Sequence, residues 1–588
     1  MVHTRFLRLI VSAVAVAIGF ALPARADSGW TNLSPAAGAR VVYVSSSAGS
    51  DSNGGLSASA PVRSLAKGYS LLRDGNPDWM VLRSGDTWNE TFPSWSKSAN
   101  SNSQYMVVAS YGVGPRPRIV APVNETLFYS GGDTPRRGLA LLDLDLSPAA
   151  GGSHESGIML LNVWQHVLIE GCKVIGFSDN IVIEDVNFER QSDIKIRRCI
   201  IADSNNAGPT GHSQGIFMRC VDNWVIEGCV LDYNGRTRNT IFCHNVYIHE
   251  TCGAGVFNEN ISARASSHGV QQRPGGQMVN NLFLQNSINA YQGSAAGVPN
   301  VFRFNVVLDS KDVNPVDARG WGFICSGNTT VEYNVAAHQE SGTGLGTVRA
   351  FDFDGVSSAV VRGNFVYDWR RPGEGDGSSY HWGEGAGTVL FENNYANQPM
   401  GGMCVRHVER SLSSSFTYRN NKYWTINPFG GYWGFATAYN AQVNWDVWRA
   451  QANETGTTFA NPGQLDVRIE RYLMSLNMTG FVPGFMANAR SQSKLNWHPQ
   501  FTSAVVNDWV RARVGLPLVG GNGGTPICYA NCDASTGSPL LTGADFLCFM
   551  NKYVAQDPSA NCDGSLTPPV LTANDFMCFM DKYMTGCP

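Results

Sequence analysis

The sequence predicts an all-β protein: a right-handed parallel β-helix followed by a small, disulfide-rich C-terminal module of short helices and loops. Three observations lead to this prediction. They are an imperfect β-rich repeat through the middle of the chain, a composition rich in turn residues, and a duplicated, cysteine-dense C-terminus. The chain of 588 residues has 63 glycines and only 15% charged residues, which is typical of a turn-rich β protein.

The repeat consists of a short apolar run, a cysteine or asparagine, and a second apolar run, with no amphipathic helix inside a unit. The cysteine or asparagine recurs every 21 to 31 residues, a period typical of a stacked array. Short Val/Ile/Phe runs between Gly, Asn and Asp indicate strands and turns, so each unit is predicted to be one coil. We expect the marker residues to form a buried ladder, with the cysteines as small apolar members rather than metal ligands. The markers are Cys172, Cys199, Cys229, Asn260, Asn281, Asn305, Asn334, Asn364 and Asn393.

The segments that flank the repeat resemble those of a known superfamily. VVYVSSSAGSDSNGGLSASAPVRSLAKGYSLL and WMVLRSGDTWNETF resemble the entry of the pectate-lyase-like β-helix superfamily, where an amphipathic helix caps the coils, and VNWDVWRAQANETGTTF resembles its exit. The resemblance implies the fold and leaves the chemistry open, because that superfamily includes lyases, hydrolases, esterases, epimerases and non-enzymes. The predicted organisation is a signal peptide (1–26), a capped β-helix (27–459), a helical extension that packs on the β-helix (460–519), a linker (520–526) and the terminal module (527–588).

The first residues predict export. Arg5 and Arg8 precede the apolar run LIVSAVAVAIGFAL, and small residues lead to an expected cleavage after Ala26. This run is shorter than the roughly 20 residues that a membrane-spanning helix needs. We therefore expect a secreted or cell-surface protein with no transmembrane segment. The formal net charge of -4 gives no basic footprint for nucleic acid.

The last 61 residues hold six cysteines and two copies of one motif, ANCDASTGSPLLTGADFLCFMNKY and ANCDGSLTPPVLTANDFMCFMDKY. Matching spacings indicate one disulfide in each copy and a third that closes the ends. Six cysteines allow about 15 pairings, and the sequence alone does not select one. The pairs favoured by the spacings are Cys532–Cys548, Cys562–Cys578 and Cys528–Cys587. Oxygen-bearing side chains alternate in each copy, which suits calcium. The predicted ligands are Asn531, Asp533, Ser535 and Asp545 in the first copy, and Asn561, Asp563, Ser565 and Asp575 in the second.

The two copies resemble dockerin modules, the calcium-folded adaptors of bacterial polysaccharide-degrading systems. The resemblance implies calcium as a cofactor of this module and a cell-surface or scaffold protein as its partner. The copies depart from a standard EF-hand loop, whose last carboxylate stands at position 12. Asp545 is at position 15 counted from Asn531. A disulfide-stapled module without metal is the alternative.

Aligning the strands before four successive markers places a polar patch on the outside of the coils. GHSQGIFMR, FCHNVYIH, SSHGVQQR and SINAYQG fall into register, which turns one column inward and its neighbours outward. The predicted inward column is Ile216, Val246, Val270 and Ala290. The predicted solvent-facing patch is Phe217, Tyr247, Gln271 and Tyr291, then Arg219, His249 and Arg273, with Gln214, His244 and His268 at the strand entrances.

This mixture suits β-elimination on a uronate-containing glycan, in which a lyase neutralises the carboxylate, removes the C5 proton and protonates the leaving oxygen. Arg273 or Arg219 is the candidate for the carboxylate, with Arg273 also a candidate base. A histidine takes the proton near neutral pH, and Tyr247 donates one. The candidate catalytic residues are His249, Arg273, Tyr247, His244 and His268, and the candidate substrate-binding residues here are Gln271, Arg219 and Tyr291.

A second polar patch is predicted about three coils away. VRAFDFDG puts Asp352 and Asp354 on one face, and SSYHWGEG brings Glu384 and His381 near. A glycoside hydrolase needs two carboxylates, about 5 Å apart for retention or 6.5–9.5 Å for inversion. We assign the three acids to substrate binding; a hydrolase pair, or a calcium ion that holds a uronate, are the alternatives.

The predicted function is a secreted polysaccharide-degrading enzyme, a lyase in preference to a hydrolase. A non-catalytic carbohydrate-binding or adhesion β-helix is the third candidate, and the convergent His, Tyr and Arg side chains favour an enzyme over it. The sequence contains no HExxH motif and no P-loop, and we expect neither nucleotide chemistry nor serine esterase chemistry.

Overall fold

A computed structural model describes residues 29–519 with short gaps, and parts of the terminal module. The gaps are 152–154, 186, 206–211, 236–239, 312–318, 341–347, 370–376, 386, 409–411, 427–433, 438–440 and 464. Beyond 519 the described residues are 530, 532, 541–554, 560, 562 and 571–585. The predicted signal peptide and linker lie outside them. No helix among the described residues is long and apolar enough to cross a membrane.

The described chain forms a parallel β-helix, which confirms the predicted fold class. Each full coil contributes three strands, which define a first, second and third face in the order in which the chain visits them. Strands one coil apart pair in parallel along each face. The first and second faces join into one described sheet of 25 strands through the long strands Gly320–Glu332 and Val348–Arg362. The third face is a separate described sheet of 14 strands.

The bounds of the elements follow the coils. The first face comprises Phe128–Ser130, Ser156–Leu160, Asp179–Ile183, Ser213–Met218, Cys243–Ile248, His268–Gln272, Ile288–Gln292, Ser378–Trp382, Met403–His407 and Phe435–Ala436, to which Gln442–Val443 adds an antiparallel pair. The second face comprises Val41–Val44, Trp79–Arg83, Met106–Tyr111, Arg136–Leu142, Trp164–Glu170, Gln191–Arg197, Val221–Glu227, Gly255–Asn258, Gly276–Val279, Asn300–Arg303, Val389–Glu392 and Phe416–Arg419. The third face comprises Thr87–Trp88, Arg118–Ala121, Asp145–Pro148, Lys173–Ile175, Ile200–Ala202, Val230–Asp232, Ile261–Ala263, Leu282–Leu284, Val306–Lys311, Val335–Glu340, Phe365–Tyr367, Tyr395–Gln398, Lys422–Thr425 and Thr458–Phe459. The helices are Leu65–Leu71, Trp445–Gln451, Ile469–Ser475, Val482–Arg490, the 3₁₀ turn Pro499–Phe501, Ser503–Arg513, Gly543–Val554 and Ala573–Thr585.

A buried ladder of asparagines lines the turn between the second and third faces, as predicted. Nδ2 of Asn305 donates to the carbonyl of Met278 and to Oδ1 of Asn334, both at 2.9 Å. Oδ1 of Asn334 also accepts the backbone N–H of Asn305 at 2.9 Å. Each side chain therefore satisfies the polar backbone of a turn that has no access to water.

The cysteines of the early coils continue this ladder as hydrogen-bonding members, which is more than the apolar role expected of them. The Cys229 thiol lies 3.6 Å from the Ile196 carbonyl, the position equivalent to the carbonyl that an asparagine Nδ2 reaches. The Cys229 backbone N–H donates to Oδ1 of Asn260 at 2.9 Å. The last marker was misplaced by one residue: Asn394 is the ladder member, and Asn393 precedes it with a positive φ of 56°.

Both ends of the coil stack carry a helix. Leu65–Leu71 begins after Ser64, whose hydroxyl accepts the Lys67 N–H, and its buried face lies on the first strand. A Cβ at Gly68 would stand 2.7 Å from Val44, so only glycine allows this approach. At the other end Trp448 of Trp445–Gln451 is fully buried against the last coils.

The third face buries its outer side against the helices that follow the coils. Apolar residues of this face, such as Leu282 and Leu308, form one buried cluster with residues of the helices, such as Phe485 and Val506. The helical extension thus covers the middle coils of the third face. The predicted polar patches belong to the first face.

The second face carries a column of alternating charges on its outer edge. Oppositely charged side chains of successive coils lie 2.6–3.5 Å apart, so every residue of the column except the first and the last has an oppositely charged partner on both sides. The column is Arg303, Glu332, Arg362, Glu392 and Arg419.

The terminal module has one helix in each copy. The disulfides Cys532–Cys548 and Cys562–Cys578 confirm the predicted pairing within the copies. Phe549 and Phe579 stack with their ring centroids 4.0 Å apart. Cys528 and Cys587, predicted to close the ends, lie outside the described residues.

Candidate active site

The register of the first face is the predicted one. Ile216 pairs with Val246 and Val270 pairs with Ala290, and all four side chains are fully buried. The outward column of Phe217, Tyr247, Gln271 and Tyr291 is partly exposed. This column continues through Ile324 to Asp352 and His381, so the two predicted patches lie on one face.

The centre of the first patch is a cluster around Glu250, a residue that the sequence interpretation missed. Arg273 Nη1 donates to Glu250 Oε2 at 2.6 Å, and His249 Nε2 lies 3.8 Å from the same oxygen. The Arg273 guanidinium also lies 5.2 Å from the centre of the Tyr247 ring. Glu250 and Arg273 are each nearly half exposed, so this cluster is open to solvent.

The surroundings of these groups fix their protonation states near neutral pH. Partial burial, with the charges of Arg273 and Arg219, lowers the pKa of His249 and keeps the imidazole neutral. Burial raises the pKa of Tyr247, so the phenol keeps its proton. The hydrogen bond from Arg273 lowers the pKa of Glu250, which therefore stays ionised.

His249 is oriented as a hydrogen-bond donor. Thr251 places its backbone N–H 3.3 Å and its hydroxyl 3.1 Å from Nδ1 of His249. Because the backbone N–H can only donate, Nδ1 accepts, and the hydrogen of the neutral ring is on Nε2. Nε2–H therefore points to the side of Glu250, which makes His249 a poorer general base than the sequence suggested.

His244 and His268 were predicted to belong to the solvent-facing patch, but both are buried, and each is only 4% exposed. Burial lowers the pKa of His244 to about 3, and burial lowers that of His268 as well. Gln214 Nε2 donates to the Phe242 carbonyl, which directs its Oε1 to His244 Nδ1 at 2.8 Å. His244 therefore carries its hydrogen on Nδ1, and its ring lies beneath Tyr247 with centroids 5.2 Å apart. These histidines support the tyrosines from below.

Asp179 is a second residue that the sequence interpretation missed. It precedes Gln214 in the column of strand entrances, and its Oδ1 accepts the Gln214 N–H at 2.7 Å. Burial raises the pKa of Asp179 to about 7. The same strand alignment, extended back by one coil to FSDNIVIED, would have placed it beside Gln214.

The remaining residues of the first patch flank the cluster. Gln271 stands between Tyr247 and Tyr291 in the outward column. Tyr291 is near His268, with ring centroids 6.4 Å apart, and burial raises its pKa. Arg219 binds Glu184 at 2.8 Å, so its charge is already paired.

The second patch is organised around a buried Asp352. Its carboxylate contacts His381 Nδ1 and Arg349 Nη1, both at 2.8 Å. Burial opposes its ionisation, but the hydrogen bond from His381 and the charge of Arg349 lower the pKa of Asp352. This carboxylate is ionised and occupied, which suits neither a general acid nor a nucleophile.

Asp354 and Glu384 are both exposed, on neighbouring coils. A Cβ at Gly383, the residue before Glu384, would lie 3.0 Å from Asp354 Oδ1, so the two acids share one edge. The strand of Asp352 lies three strands from that of Arg273, about 14 Å at the usual strand spacing. The patches are thus too far apart for one proton transfer and close enough for one bound oligosaccharide.

Metal sites and serine chemistry find little support in the described residues. Among them, no group of three His, Cys, Asp or Glu side chains is placed to hold a metal ion. GHSQG matches the G-x-S-x-G pattern, but Ser213 is fully buried within a strand and donates to the Ser178 carbonyl, so it is no nucleophile elbow.

Two of the predicted calcium ligands are described. Asp545 accepts the Thr542 N–H at 2.8 Å and Asp575 accepts the Thr572 N–H at 2.7 Å, so each caps its own helix with one oxygen. The other six lie outside the described residues: Asn531, Asp533, Ser535, Asn561, Asp563 and Ser565.

Comparisons with known proteins identify no family. No protein-family model matches the chain, and no curated protein matches it. Solved structures that are similar include a GH136 lacto-N-biosidase from Eubacterium ramulus, with 12% identity over 71% of this chain and 67% of that one and a TM-score of 0.29. The pectate lyase Pel9A has 12% identity over 65% of this chain and 79% of that one, with a TM-score of 0.34. An alginate lyase from Paenibacillus sp. has 14% identity over 60% of this chain and 99% of that one, with a TM-score of 0.31.

Proposed function

We propose that this chain is a secreted polysaccharide lyase that cleaves a uronate-containing glycan by β-elimination on its first face. The observation that carries the proposal is the cluster of Arg273, Glu250, His249 and Tyr247. It brings a cation, an ionised acceptor, a neutral donor and a protonated phenol together at an open surface. These are the groups that an elimination beside a carboxylate requires.

The uronate carboxylate replaces Glu250 on Arg273 and accepts the Nε2–H of His249, because Glu250 Oε2 already marks the position of an anion beside both donors. Neutralising that carboxylate acidifies the C5 proton. Released from Arg273, Glu250 takes this proton, the C4–C5 double bond forms and the C4–O bond breaks. Tyr247 protonates the leaving oxygen, and the nearby Arg273 stabilises the phenolate until solvent restores the proton.

Variants of the cluster test these roles. Because a positioned acid or base contributes on the order of 10²–10⁴ in rate, Glu250→Gln and Tyr247→Phe should each lower kcat by about that factor. Arg273→Ala and His249→Ala should lower kcat and also raise KM. The readout is the ultraviolet absorbance of the unsaturated uronate product, on a panel of polysaccharides. His498→Ala, half-buried in the helical extension, is the matched control and should leave turnover unchanged.

A glycoside hydrolase is the second candidate, since Asp354 and Glu384 share one exposed edge. A hydrolase would produce new reducing ends and no unsaturated product. Its activity would be largely lost in Asp354→Asn or Glu384→Gln and nearly unchanged in Glu250→Gln. The lyase proposal predicts the reverse, with Asp354→Asn and Glu384→Gln mainly raising KM. Polysaccharide binding with neither product would identify a carbohydrate-binding protein.

The terminal module is proposed to be a calcium-stabilised adaptor that attaches the enzyme to a cell-surface or scaffold protein. Leu547 and Met577 occupy equivalent positions in the two copies and are 62% and 65% exposed, which suits a docking surface. The disulfides of the module fit an oxidising, extracellular location.

A further inference from the structure

Phe188 stands out as an exposed aromatic ring at the edge of the first face. Its side chain is 58% exposed, in the turn between Asp179–Ile183 and Gln191–Arg197. Its φ is 61°, in the left-handed region that a bulky side chain rarely adopts. Exposure and backbone strain both disfavour this residue for stability, and glycine would suit the position better.

The turn holds Phe188 firmly in this unfavourable conformation. The Asp185 carboxylate accepts the backbone N–H of Asn187 at 2.6 Å and of Glu189 at 3.1 Å. The N–H of Phe188 donates to the Asp185 carbonyl at 3.2 Å. These hydrogen bonds fix the position of the exposed ring within the turn.

A cation keeps the ring itself in one orientation. The Arg219 guanidinium lies 4.3 Å from the ring centre, and Glu184 fixes that guanidinium at 2.8 Å. Glu184 and Arg219 follow successive strands of the first face, so they anchor the ring to the coils. Because Arg219 is committed to both partners, it supports the ring rather than binding a substrate carboxylate.

The ring lies close to the reacting cluster. Arg219 and His249 occupy the same place on adjacent strands, about 5 Å apart along the stack. The charge of Arg219 is near enough to lower the pKa of His249. A glycan bound at His249 and Arg273 would therefore reach Phe188 with a neighbouring sugar, on the N-terminal side of the cluster.

We infer that Phe188 is a stacking platform for a pyranose ring of the substrate, one subsite from the sugar that reacts. This inference rests on the proposed function, since it places a glycan across the first face. A pyranose presents an apolar face of C–H groups, which can cover the exposed phenyl ring while the sugar hydroxyls remain in water. Phe188 has no polar group, so it contributes affinity without taking part in the reaction.

The test separates binding from both turnover and folding. In a Glu250→Gln background, Phe188→Ala should weaken polysaccharide binding about tenfold in calorimetry, whereas Phe188→Trp should retain it. Phe481→Ala is the matched control, because Phe481 is 66% exposed on the helical extension. In the active enzyme Phe188→Ala should raise KM on long chains and leave kcat unchanged, with no effect on substrates too short to reach the ring.

Phe188→Gly gives the readout that a structural role would not give. It should raise the unfolding temperature, because glycine relieves the strained φ, while binding is weakened to the same extent as in Phe188→Ala. A ring that only supports the fold would lower the unfolding temperature when removed and leave binding intact, which would overturn the inference. Binding that depends on Phe188 in a protein without lyase activity would reject the proposed reaction and keep the platform. Lyase activity with binding indifferent to Phe188 would reject the platform alone.

Discussion

Replacement of Asn334 in the ladder measures what the buried asparagines contribute to stability. Its side chain makes four hydrogen bonds, two donated by Asn305, one to the Phe302 carbonyl and one to Asn364. At about 1 kcal/mol for each, Asn334→Ala should lower the free energy of unfolding by roughly 4 kcal/mol. Asn334→Cys should retain one of the four, because the Cys229 thiol reaches the carbonyl equivalent to that of Phe302. Its expected cost is therefore about three quarters as large.

The assay is urea-induced unfolding of the full chain, followed by tryptophan fluorescence, with midpoints converted through a common slope. The expected order of stability is wild type, Asn334→Cys, Asn334→Ala. Far-ultraviolet circular dichroism checks that each variant keeps its β structure. Equal destabilisation by alanine and cysteine would refute the reasoning that a thiol is a working member of the ladder. A loss below about 1 kcal/mol for alanine would refute the hydrogen-bond accounting itself.

Two further predictions concern pH and calcium. The pKa of His244 is about 3 in the folded protein and about 6.5 in the unfolded chain. As the pH is lowered from 6.5 towards 3, the unfolded chain therefore binds a proton that the folded protein does not, and the free energy of unfolding decreases. The loss from this group at pH 5 should be about 2 kcal/mol, and the urea midpoint of His244→Leu should fall less between pH 7 and pH 5 than that of the wild type. Chelation of calcium should accelerate hydrogen exchange in the helices Gly543–Val554 and Ala573–Thr585 of the full-length protein, but not in the coils. Unchanged exchange would mean that the disulfides stabilise the terminal module without calcium.

The coil register was predictable because it depends on patterns within short stretches of sequence. Alternation along each strand assigned Ile216, Val246, Val270 and Ala290 to one inward column, and the recurring asparagine marked the same turn in each coil. The shift from Asn393 to Asn394 shows the limit of this reasoning, since two adjacent asparagines satisfy the same pattern. Only the hydrogen bonds distinguish the residue that enters the turn from the one that carries the positive φ.

The state of the candidate site was less predictable, because it depends on packing between coils. Alternation cannot tell that His244 and His268 are covered at the strand entrances. Nor does it tell that the hydrogen bonds of Thr251 turn His249 into a donor. Glu250 was missed because it lies just beyond the end of its strand, where the period of two no longer applies.

The alternating charges on the second face restrict how the coil stack can change in length. Removing one coil between Arg303 and Arg419 would bring two arginines or two glutamates side by side, and like charges directly opposite are unfavourable. Removing or duplicating two coils restores the alternation. Each ion pair contributes little to the free energy of unfolding by itself. The column as a whole nevertheless favours insertions and deletions of an even number of coils in this region. Recombination of this scaffold should therefore proceed in units of two coils.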